Sequence, residues 1–407
     1  MNNEELLELL KRWNPWDKEL KTGIKRPHYI NKILPYIERK EILVLKGVRR
    51  CGKSTIMKQL MEQLIRKGIK KIQILYLNLE DYRFLGELNI RLLEQVLQVY
   101  RQYINHHEKT FFFIDEAQAI SNWESWIRTA YDQDDNIKFI VSGSNASLLS
   151  KELSTLLTGR NLAFLILPLS FKEFKDFSGG KIEDYLEYGG FPEVVLEKDT
   201  DKKEKILQQY FEDIINRDIL SRHEVRNAKQ LTELAKSLIS SSGTKTSLNK
   251  LSKVFGLSKD TITDYISHMI DAFLLFEVNY FSFSARTRHD VTKLPKFYAI
   301  DTGIINAVNE RQTKNTGRLY EHAVLLKLLE ENQEISYWSE LHSEVDFITG
   351  ETAINVTATD KIPEREHKGL DEFKSKNKQF KTLLITKSTT KENLISLQEF
   401  LEKNIEP

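Results

Sequence analysis

The sequence predicts an α/β protein whose first part is a three-layer αβα domain with a parallel β-sheet. Two observations lead to this prediction. Short, fully apolar runs such as residues 42–45 have the length and composition of strands that are buried on both faces. Segments with helical periodicity separate these runs, and a strand–helix–strand rhythm gives parallel strands joined by right-handed crossovers.

The predicted elements of this first part follow one another in order. The strands cover residues 42–45, 72–77, 110–114, 138–141 and 162–167. The helices between them cover residues 54–67, 90–104, 123–133 and 148–157. After Pro168 the chain becomes mainly helical, and strand-like segments return from about residue 276 onward.

Composition narrows the classes of function. The 407 residues carry a formal net charge of +1, so only a local patch could attract nucleic acid. Cys51 is the single cysteine, which excludes an intrachain disulfide and fits a reducing compartment. The N-terminus lacks the apolar core of a signal peptide, and no run approaches the roughly 20 apolar residues of a membrane span. We therefore expect a cytoplasmic protein without a membrane partner.

A glycine-bearing loop follows the first strand. Residues 47–54 read GVRRCGKS and fit the phosphate-loop pattern GxxxxGK[ST], between a buried strand and a helix. The glycines let backbone N–H groups surround phosphate, Lys53 would reach the β- and γ-phosphates, and the Ser54 hydroxyl would bind Mg²⁺. The alternative is a chance match in a strand–helix turn. The residues predicted to bind ATP are Gly47, Arg50, Cys51, Gly52, Lys53, Ser54 and Thr55.

Two adjacent carboxylates follow the third strand. The apolar residues 111–114 lead into Asp115 and Glu116 at the carboxyl end of the strand, where open α/β sheets bind ligands. Asp115 would hold Mg²⁺ through its water shell, and Glu116 would polarise the water that attacks the γ-phosphate. The alternative is a pair of solvated loop carboxylates.

Two further candidates lie near the ends of the fourth and fifth strands. Asn145 or Ser144 could hydrogen-bond the γ-phosphate or the water, although the same residues also suit an N-capped turn. Arg160 precedes the fifth strand and could reach the ATP of a neighbouring subunit, or it could be a surface arginine.

The order of these motifs resembles a known family. GVRRCGKST, FFFIDEAQ, VSGSNASLL, LTGR, LPLSFKEF and YLEYGGFPEVVL follow one another as they do in a large prokaryotic family of AAA+-related ATPases, and the resemblance covers nearly the whole chain. It implies that Lys53, Ser54, Asp115 and Glu116 have the roles given above. It also implies that Asn145 is a sensor and Arg160 an arginine finger, and a finger supplied to a neighbour requires a homo-oligomer.

In that family the ATPase domain precedes a winged-helix-like segment and a C-terminal domain that resembles restriction endonucleases. The resemblance, together with the patterns along the chain, therefore predicts five segments. They are an N-terminal helical and basic segment (1–40), a P-loop ATPase domain (41–170), a helical linker or lid (171–228), a winged-helix-like domain (229–300) and an endonuclease-like α/β domain (301–407).

A helix-turn-helix pattern lies in the second half of the chain. Residues 247–255 are predicted to form an amphipathic helix, residues 256–258 the turn, and residues 259–272 the recognition helix. A basic patch follows at Arg286, Arg288, Lys293 and Lys296. The segment could contact DNA, or it could pack against protein, because Asp260 and Asp264 offset the positive charge of the second helix.

The last domain carries part of a nuclease motif. Restriction-like nucleases bind Mg²⁺ with an acidic helix residue, a strand aspartate and a Glu-x-Lys on the next strand. Glu321, Glu344 and Asp346 supply acidic residues, but Asn355 and Thr357 stand where Glu and Lys are needed. We therefore expect a nuclease fold without catalysis, whose carboxylates form a structural network or bind metal weakly. The nine histidines show no metal-ligand spacing in the sequence.

Together these features predict an enzyme that binds Mg-ATP and hydrolyses it to ADP and phosphate, coupled to DNA binding or remodelling. A nucleotide-controlled protein-interaction switch without DNA is the alternative. An active metal-dependent nuclease is a third alternative.

Overall fold

The computed structural model of this chain describes residues 1–145, 159–283, 293–309, 316–331, 333–340, 342–388, 391 and 393–403. Its residue contacts divide the chain into two units, Met1–Ile166 and Leu167–Pro407. The predicted N-terminal segment and nearly all of the predicted ATPase domain fall in the first unit.

A five-stranded sheet forms the centre of the first unit. Its strands are β1 (Ile42–Lys46), β2 (Ile74–Asn78), β3 (Thr110–Asp115), β4 (Ile137–Gly143) and β5 (Asn161–Leu165). They lie in the order β2-β3-β4-β1-β5, and every neighbouring pair is parallel. The predicted α/β fold with a parallel sheet is therefore confirmed for this unit. The carboxyl ends of all five strands lie at one edge of the sheet.

Helices connect and flank these strands. They cover Asn3–Trp13, Pro27–Ile33, Lys53–Arg66, Ile90–Tyr103 and Trp123–Gln133. Short 3-10 turns cover Leu34–Tyr36, Lys71–Gln73, Tyr82–Phe84 and Ala117–Ala119. The hydrophobic core contains buried side chains from helices and from strands, such as Leu93 and Val96 of the helix Ile90–Tyr103 and Phe112 of β3. The predicted helix at residues 148–157 lies outside the described residues.

The N-terminal segment covers the edge strand β2. Leu6, Leu9 and Leu10 are buried in the core cluster of the first unit. Asn14 mimics a strand partner, because its amide donates to the Tyr76 carbonyl at 2.9 Å and accepts from the Tyr76 N–H at 2.6 Å. These bonds satisfy backbone groups that an edge strand otherwise exposes, so residues 1–14 are an integral part of the first unit.

The second unit combines helices with a mixed sheet. The helices cover Phe171–Ser178, Ile182–Tyr188, Pro192–Leu196, Thr200–Asp213, Ala228–Ser240, Leu248–Phe255, Lys259–Asp271, Thr302–Val308, Thr316–Glu330, Glu364–Lys376 and Leu397–Glu402, with a π-helical segment at Ile214–Leu220. The strands are β6 (Leu275–Tyr280), β7 (Lys296–Ala299), β8 (Ser336–Glu340), β9 (Ser343–Thr349), β10 (Thr352–Val356), β11 (Lys381–Thr386) and β12 (Leu394–Ser396). Their order is β12-β11-β10-β9-β8-β6-β7.

This sheet runs across the predicted boundary at residue 300. β6 pairs with β7 in antiparallel fashion and with β8 in parallel fashion, so both strands of the segment predicted as a winged-helix-like domain (229–300) continue the sheet of β8–β12. The two helices of the predicted helix-turn-helix are present, at Leu248–Phe255 and Lys259–Asp271, and Gly256 makes the turn between them at φ 64°. Within the described part of the chain, no helix is long and apolar enough to cross a lipid bilayer.

Candidate nucleotide-binding site

The predicted phosphate loop joins β1 to the helix Lys53–Arg66 at the carboxyl edge of the parallel sheet. Gly47 begins the loop in close contact with the backbone, because a Cβ atom there would lie 2.0 Å from the carbonyl oxygen of Ile166. Gly52 ends the loop with φ 103°, a conformation that favours glycine. Both glycines of the motif are therefore required by the shape of the loop.

Lys53 lies buried inside this loop, with 3% of its side chain exposed. Its ammonium group donates to the carbonyls of Gly47 at 3.0 Å and Val48 at 3.2 Å, and it lies 3.3 Å from the Glu116 carboxylate. Burial opposes the charged form, but Glu116, Cys51 and Asp115 together outweigh this effect and raise the pKa of Lys53. The loop therefore holds a lysine that stays charged at neutral pH.

Asp115 ends β3 beside the ends of its two neighbouring strands. One carboxylate oxygen accepts a hydrogen bond from the Ser142 hydroxyl of β4, and the other accepts one from the Tyr76 hydroxyl of β2. The order β2-β3-β4 creates this arrangement, because it places a hydroxyl on each side of the aspartate. Burial, followed by Asp115, raises the pKa of Tyr76 well above its usual value, so the phenol remains a donor.

Glu116 is the next residue and has an unusual backbone conformation. Its φ and ψ are 58° and 49°, a left-handed conformation that is uncommon for a residue other than glycine. Its N–H donates to the Ser142 hydroxyl oxygen at 3.0 Å, and its carboxylate accepts from the Gln118 amide. Burial alone would raise the pKa of Glu116, but Lys53 and Gln118 lower it. The structure thus holds an ionised carboxylate against the phosphate loop.

Three residues outside the predicted set support the loop and its carboxylates. Ser142 and Tyr76 fix Asp115, as described above. Arg26, which is 1% exposed, donates to the carbonyl of Cys51 at 2.8 Å, and its own N–H donates to Gln59 at 3.0 Å. From the sequence, Arg26 was predicted only as part of the basic N-terminal segment (1–40). Its position before Pro27, which starts a helix, gave no sign of a contact with the loop.

The remaining predicted loop residues have different environments. Ser54 and Thr55 occupy the first turn of the helix and are half-buried, whereas Arg50 is exposed with φ 66°. Cys51 is fully buried, and burial raises the pKa of its thiol, so it is a packing residue in a neutral state. Asn145 is 8% exposed and follows β4, at the same edge of the sheet as Asp115.

Arg160 does not join these residues. Its carbonyl accepts from the N–H of Ile42, so it lies beside the start of β1, whereas the phosphate loop follows the end of that strand. Its side chain is 33% exposed and lies 3.3 Å from Asp132. Arg160 and Lys53 therefore stand at opposite edges of the sheet of one chain.

The second unit gathers the predicted nuclease carboxylates around a lysine. Lys296 of β7 lies 2.8 Å from Glu344, 3.4 Å from Glu321 and 3.9 Å from Asp346. Burial opposes its charge, but these carboxylates raise the pKa of Lys296. Asn355 accepts a hydrogen bond from the N–H of Asp346 at 3.1 Å, which is a structural contact. The cluster is therefore an ionic network of three carboxyl groups around one shared ammonium group.

This finding corrects the predicted basic patch. Lys296 is only 2% exposed, because its ammonium group lies inside the carboxylate cluster. It therefore cannot contribute to a surface that contacts DNA. Lys293 stacks its ammonium group over the Tyr280 ring at 4.3 Å. Arg286 and Arg288 lie outside the described residues.

Comparison with known protein families gives two matches. Residues 39–175 match an AAA domain, and residues 179–315 match a domain of unknown function, DUF8612. The first match supports an AAA-type ATPase domain over the phosphate loop and its carboxylates. The second does not confirm the winged-helix-like and endonuclease-like predictions, which stay predictions.

Two relatives are similar over most of their length. An uncharacterized protein of Methanocaldococcus jannaschii is 34% identical over 337 residues, which cover 76% of this chain and 72% of that protein. An uncharacterized protein of Haemophilus influenzae is 30% identical over 382 residues, which cover 90% and 94%.

Solved structures show a more distant likeness. AMPPCP-bound DnaA from Aquifex aeolicus has 13% identity and a TM-score of 0.30, over 59% of this chain and 85% of that one. PCH-2 of C. elegans has 14% identity and a TM-score of 0.28, over 65% and 66%. At these scores the likeness adds nothing to what the site geometry and the AAA domain match establish.

Proposed function

We propose, from the premise that this chain belongs to the AAA-domain family of the Methanocaldococcus jannaschii and Haemophilus influenzae proteins, that it binds Mg-ATP and hydrolyses it to ADP and phosphate. The observation that carries the proposal is the contact of 3.3 Å between the Lys53 ammonium group and the Glu116 carboxylate. A phosphate-binding lysine and a candidate base thus meet at the carboxyl edge of the sheet.

Lys53 is the residue that would change partners when a nucleotide binds. Its ammonium group donates to two peptide carbonyls and contacts Glu116. Phosphate oxygens are stronger acceptors than peptide carbonyls, because hydrogen bonds between ionised groups are the stronger ones. The β- and γ-phosphates would therefore draw Lys53 away from Glu116 and leave that carboxylate able to accept a hydrogen bond from water.

Glu116 is suited to act on that water. Its lowered pKa keeps it ionised at neutral pH, and its backbone N–H is tied to Ser142 at 3.0 Å. A positioned base of this kind contributes about 10²- to 10⁴-fold to a hydrolysis rate. The strained backbone of Glu116 is consistent with this role, because such conformations cluster at active sites.

The oxygen atoms near Lys53 fit a magnesium ion. Ser54 offers a hydroxyl in the first helical turn, and Asp115 accepts hydrogen bonds from hydroxyl groups as it would from metal-bound water. The ion would neutralise part of the phosphate charge. Ser142 and Tyr76 contribute by fixing both oxygens of Asp115 before any ligand arrives.

The proposal is tested by separating binding from hydrolysis. We expect Lys53→Ala to lose Mg-dependent ATP binding, measured by fluorescence anisotropy of a labelled nucleotide. We expect Glu116→Gln to bind ATP but to release phosphate at least about 100-fold more slowly. Lys67→Ala is the matched control, because Lys67 is an exposed lysine directly after the same helix. Nucleotide binding that survives in Lys53→Ala would refute the proposal.

We also propose that Arg160 acts on the nucleotide of a neighbouring subunit. Its place at the edge of the sheet opposite Lys53 prevents it from reaching the site of its own chain. In mixtures of Lys53→Ala and Arg160→Ala chains, a finger supplied in trans restores hydrolysis, because each partner supplies what the other lacks. Mixtures as inactive as the separate variants would show that Arg160 has no such role.

DNA is the partner we propose for the second unit. Ser247 and Ser258 cap the two helices of the predicted helix-turn-helix, and Lys250, Lys253 and Lys259 are exposed on them. Phosphate contacts of this kind predict salt-sensitive DNA binding and ATP hydrolysis stimulated by DNA. Hydrolysis indifferent to linear, single-stranded and branched DNA would instead favour a nucleotide-controlled protein-interaction switch.

A further inference from the structure

Three potential metal ligands come together in the second unit, away from the nucleotide site. One ligand atom from each of His223, His268 and Asp271 can be chosen so that all three atoms lie within 4.8 Å of one another. This corrects the expectation that the histidines do not cluster. His223 follows the π-helical segment, and the other two residues belong to the helix Lys259–Asp271, so the cluster forms only in the folded chain.

The helix presents two of these ligands on one face. His268 and Asp271 are three residues apart, and side chains at that spacing are neighbours on a helix surface. The imidazole ring of His223 lies parallel to that of His268, with the ring centroids 3.8 Å apart and an angle of 14° between the rings. The three side chains are half-buried, so an ion could reach them from solvent.

Two features of the cluster are unfavourable without a cation. The Nε2 atom of His223 is buried and has no hydrogen-bond partner. Asp271 is the last residue of its helix, where the negative end of the helix dipole repels a carboxylate. A positive ion bound between the two side chains would satisfy the nitrogen and offset the charge. Arg222 lies beside His223, but its guanidinium group is paired with Asp218 at 2.6 Å.

We propose that His223, His268 and Asp271 bind a divalent transition-metal ion, with Zn²⁺ as the preferred ion. Two imidazole nitrogens and one carboxylate oxygen form a ligand set that suits zinc and leaves one tetrahedral position for water. Zinc–ligand bonds are about 2.0–2.2 Å long, so the three ligand atoms, which lie within 4.8 Å of one another, would draw together around the ion. The ion joins the segment after the π-helix to the second helix of the helix-turn-helix, independently of the nucleotide site.

The test measures metal binding by the full-length chain after removal of any affinity tag and treatment with EDTA. Zn²⁺ is titrated by calorimetry and Co²⁺ by visible absorption, in the presence of excess Mg²⁺ so that the nucleotide site does not contribute. We expect one equivalent of Zn²⁺ to bind and the melting temperature to rise. His268→Gln and Asp271→Asn each weaken binding by more than about 10-fold, the loss caused even by an outer-shell partner.

The control replaces two other histidines. His106 and His107 are exposed neighbours whose ring centroids lie 6.3 Å apart, and His106→Gln with His107→Gln leaves zinc binding unchanged. Asp271→Asn preserves the size of the side chain, so its zinc affinity tests the proposal if His268→Gln fails to fold. Absence of zinc binding by the folded wild-type chain would overturn the proposal, as would equal binding by wild type and Asp271→Asn.

Discussion

The buried contact between Arg26 and the phosphate loop leads to a specific prediction. The guanidinium group donates to the carbonyl of Cys51 at 2.8 Å and lies 4.6 Å from the centre of the Tyr29 ring. Arg26→Met keeps most of the side-chain volume but removes the charge and the donor. The Cys51 carbonyl then loses this hydrogen bond inside the protein, and the loop loses a support on the side of the N-terminal segment.

The size of the effect follows from the hydrogen bond. A hydrogen bond to a charged group stabilises a protein by about 1.5–3 kcal/mol, and every 1.4 kcal/mol is tenfold in affinity. Gly47 and Lys53 also hold the loop, through bonds to Gly143 and Val48. We therefore expect the lower part of this range, a loss of ATP affinity of about 10-fold.

The assay is a titration of labelled ATP at fixed Mg²⁺, with circular dichroism to confirm that each variant is folded. Arg39→Met is the matched control, because Arg39 also lies over a tyrosine ring, that of Tyr36 at 5.0 Å, but its side chain is exposed. Equal affinities of wild type and a folded Arg26→Met variant would refute the idea that Arg26 shapes the loop.

Three further predictions concern the residue that supports the two site carboxylates and two buried residues of the second unit. Ser142→Ala removes the hydroxyl that joins Asp115 to the Glu116 N–H; we expect ATP hydrolysis to fall by about 10-fold or more, and an unchanged steady-state rate would contradict this. Lys296→Met leaves the Glu321, Glu344 and Asp346 carboxylates without their shared cation. We expect the unfolding free energy to fall by roughly 3–5 kcal/mol, and by more at pH 8 than at pH 5 because protons replace the missing charge at the lower pH. Urea denaturation at both pH values measures the loss. Burial lowers the pKa of His322 to about 4, below an unfolded value of about 6.5, so the unfolded chain binds the proton first and stability falls as the pH drops from 6.5 to 4. Between pH 7 and pH 4, the unfolding free energy of His322→Gln should therefore fall by about 3 kcal/mol less than that of wild type. Equal decreases for both chains in denaturant titrations would show that His322 does not titrate this way.

The nucleotide site was predictable where its chemistry is local in the sequence. The spacing of Gly47, Lys53 and Ser54 defines the loop, and Asp115 and Glu116 directly follow an apolar run. Short-range patterns of this kind identify both a strand end and the residues presented there. The structure accordingly brings Lys53 and Glu116 into contact.

The supporting residues depend on strand order, which the local patterns do not contain. Ser142 and Tyr76 reach Asp115 because β4 and β2 flank β3. One signal was available in the sequence: Ser142 lies at the end of the strand after β3, where parallel strands place their last residues side by side. That signal would have indicated Ser142. Arg26 reaches the loop through an irregular segment, for which the sequence offers no periodicity to interpret.

Lys296 shows why a count of local charges misled the prediction. It lies near Arg286 and Arg288 in sequence, and a cluster of cations is typical of a nucleic-acid surface. The apolar residues that follow it, Phe297 and Tyr298, were the contrary signal, since they mark a strand that enters a core. Pairing of β7 with β6 carries Lys296 inside the second unit, where carboxylates from distant segments surround it.

The contact between Gly47 and Ile166 fixes where the polypeptide departs from the first unit. Ile166 is the last residue of that unit, and its N–H donates to the Lys46 carbonyl at 2.7 Å. The start of the phosphate loop and the segment by which the main chain leaves the first unit are therefore in direct contact, without room between them for a single methyl group. A side chain at position 47 would collide with the Ile166 carbonyl, so a substitution of Gly47 would displace the main chain at the point where it leaves the first unit.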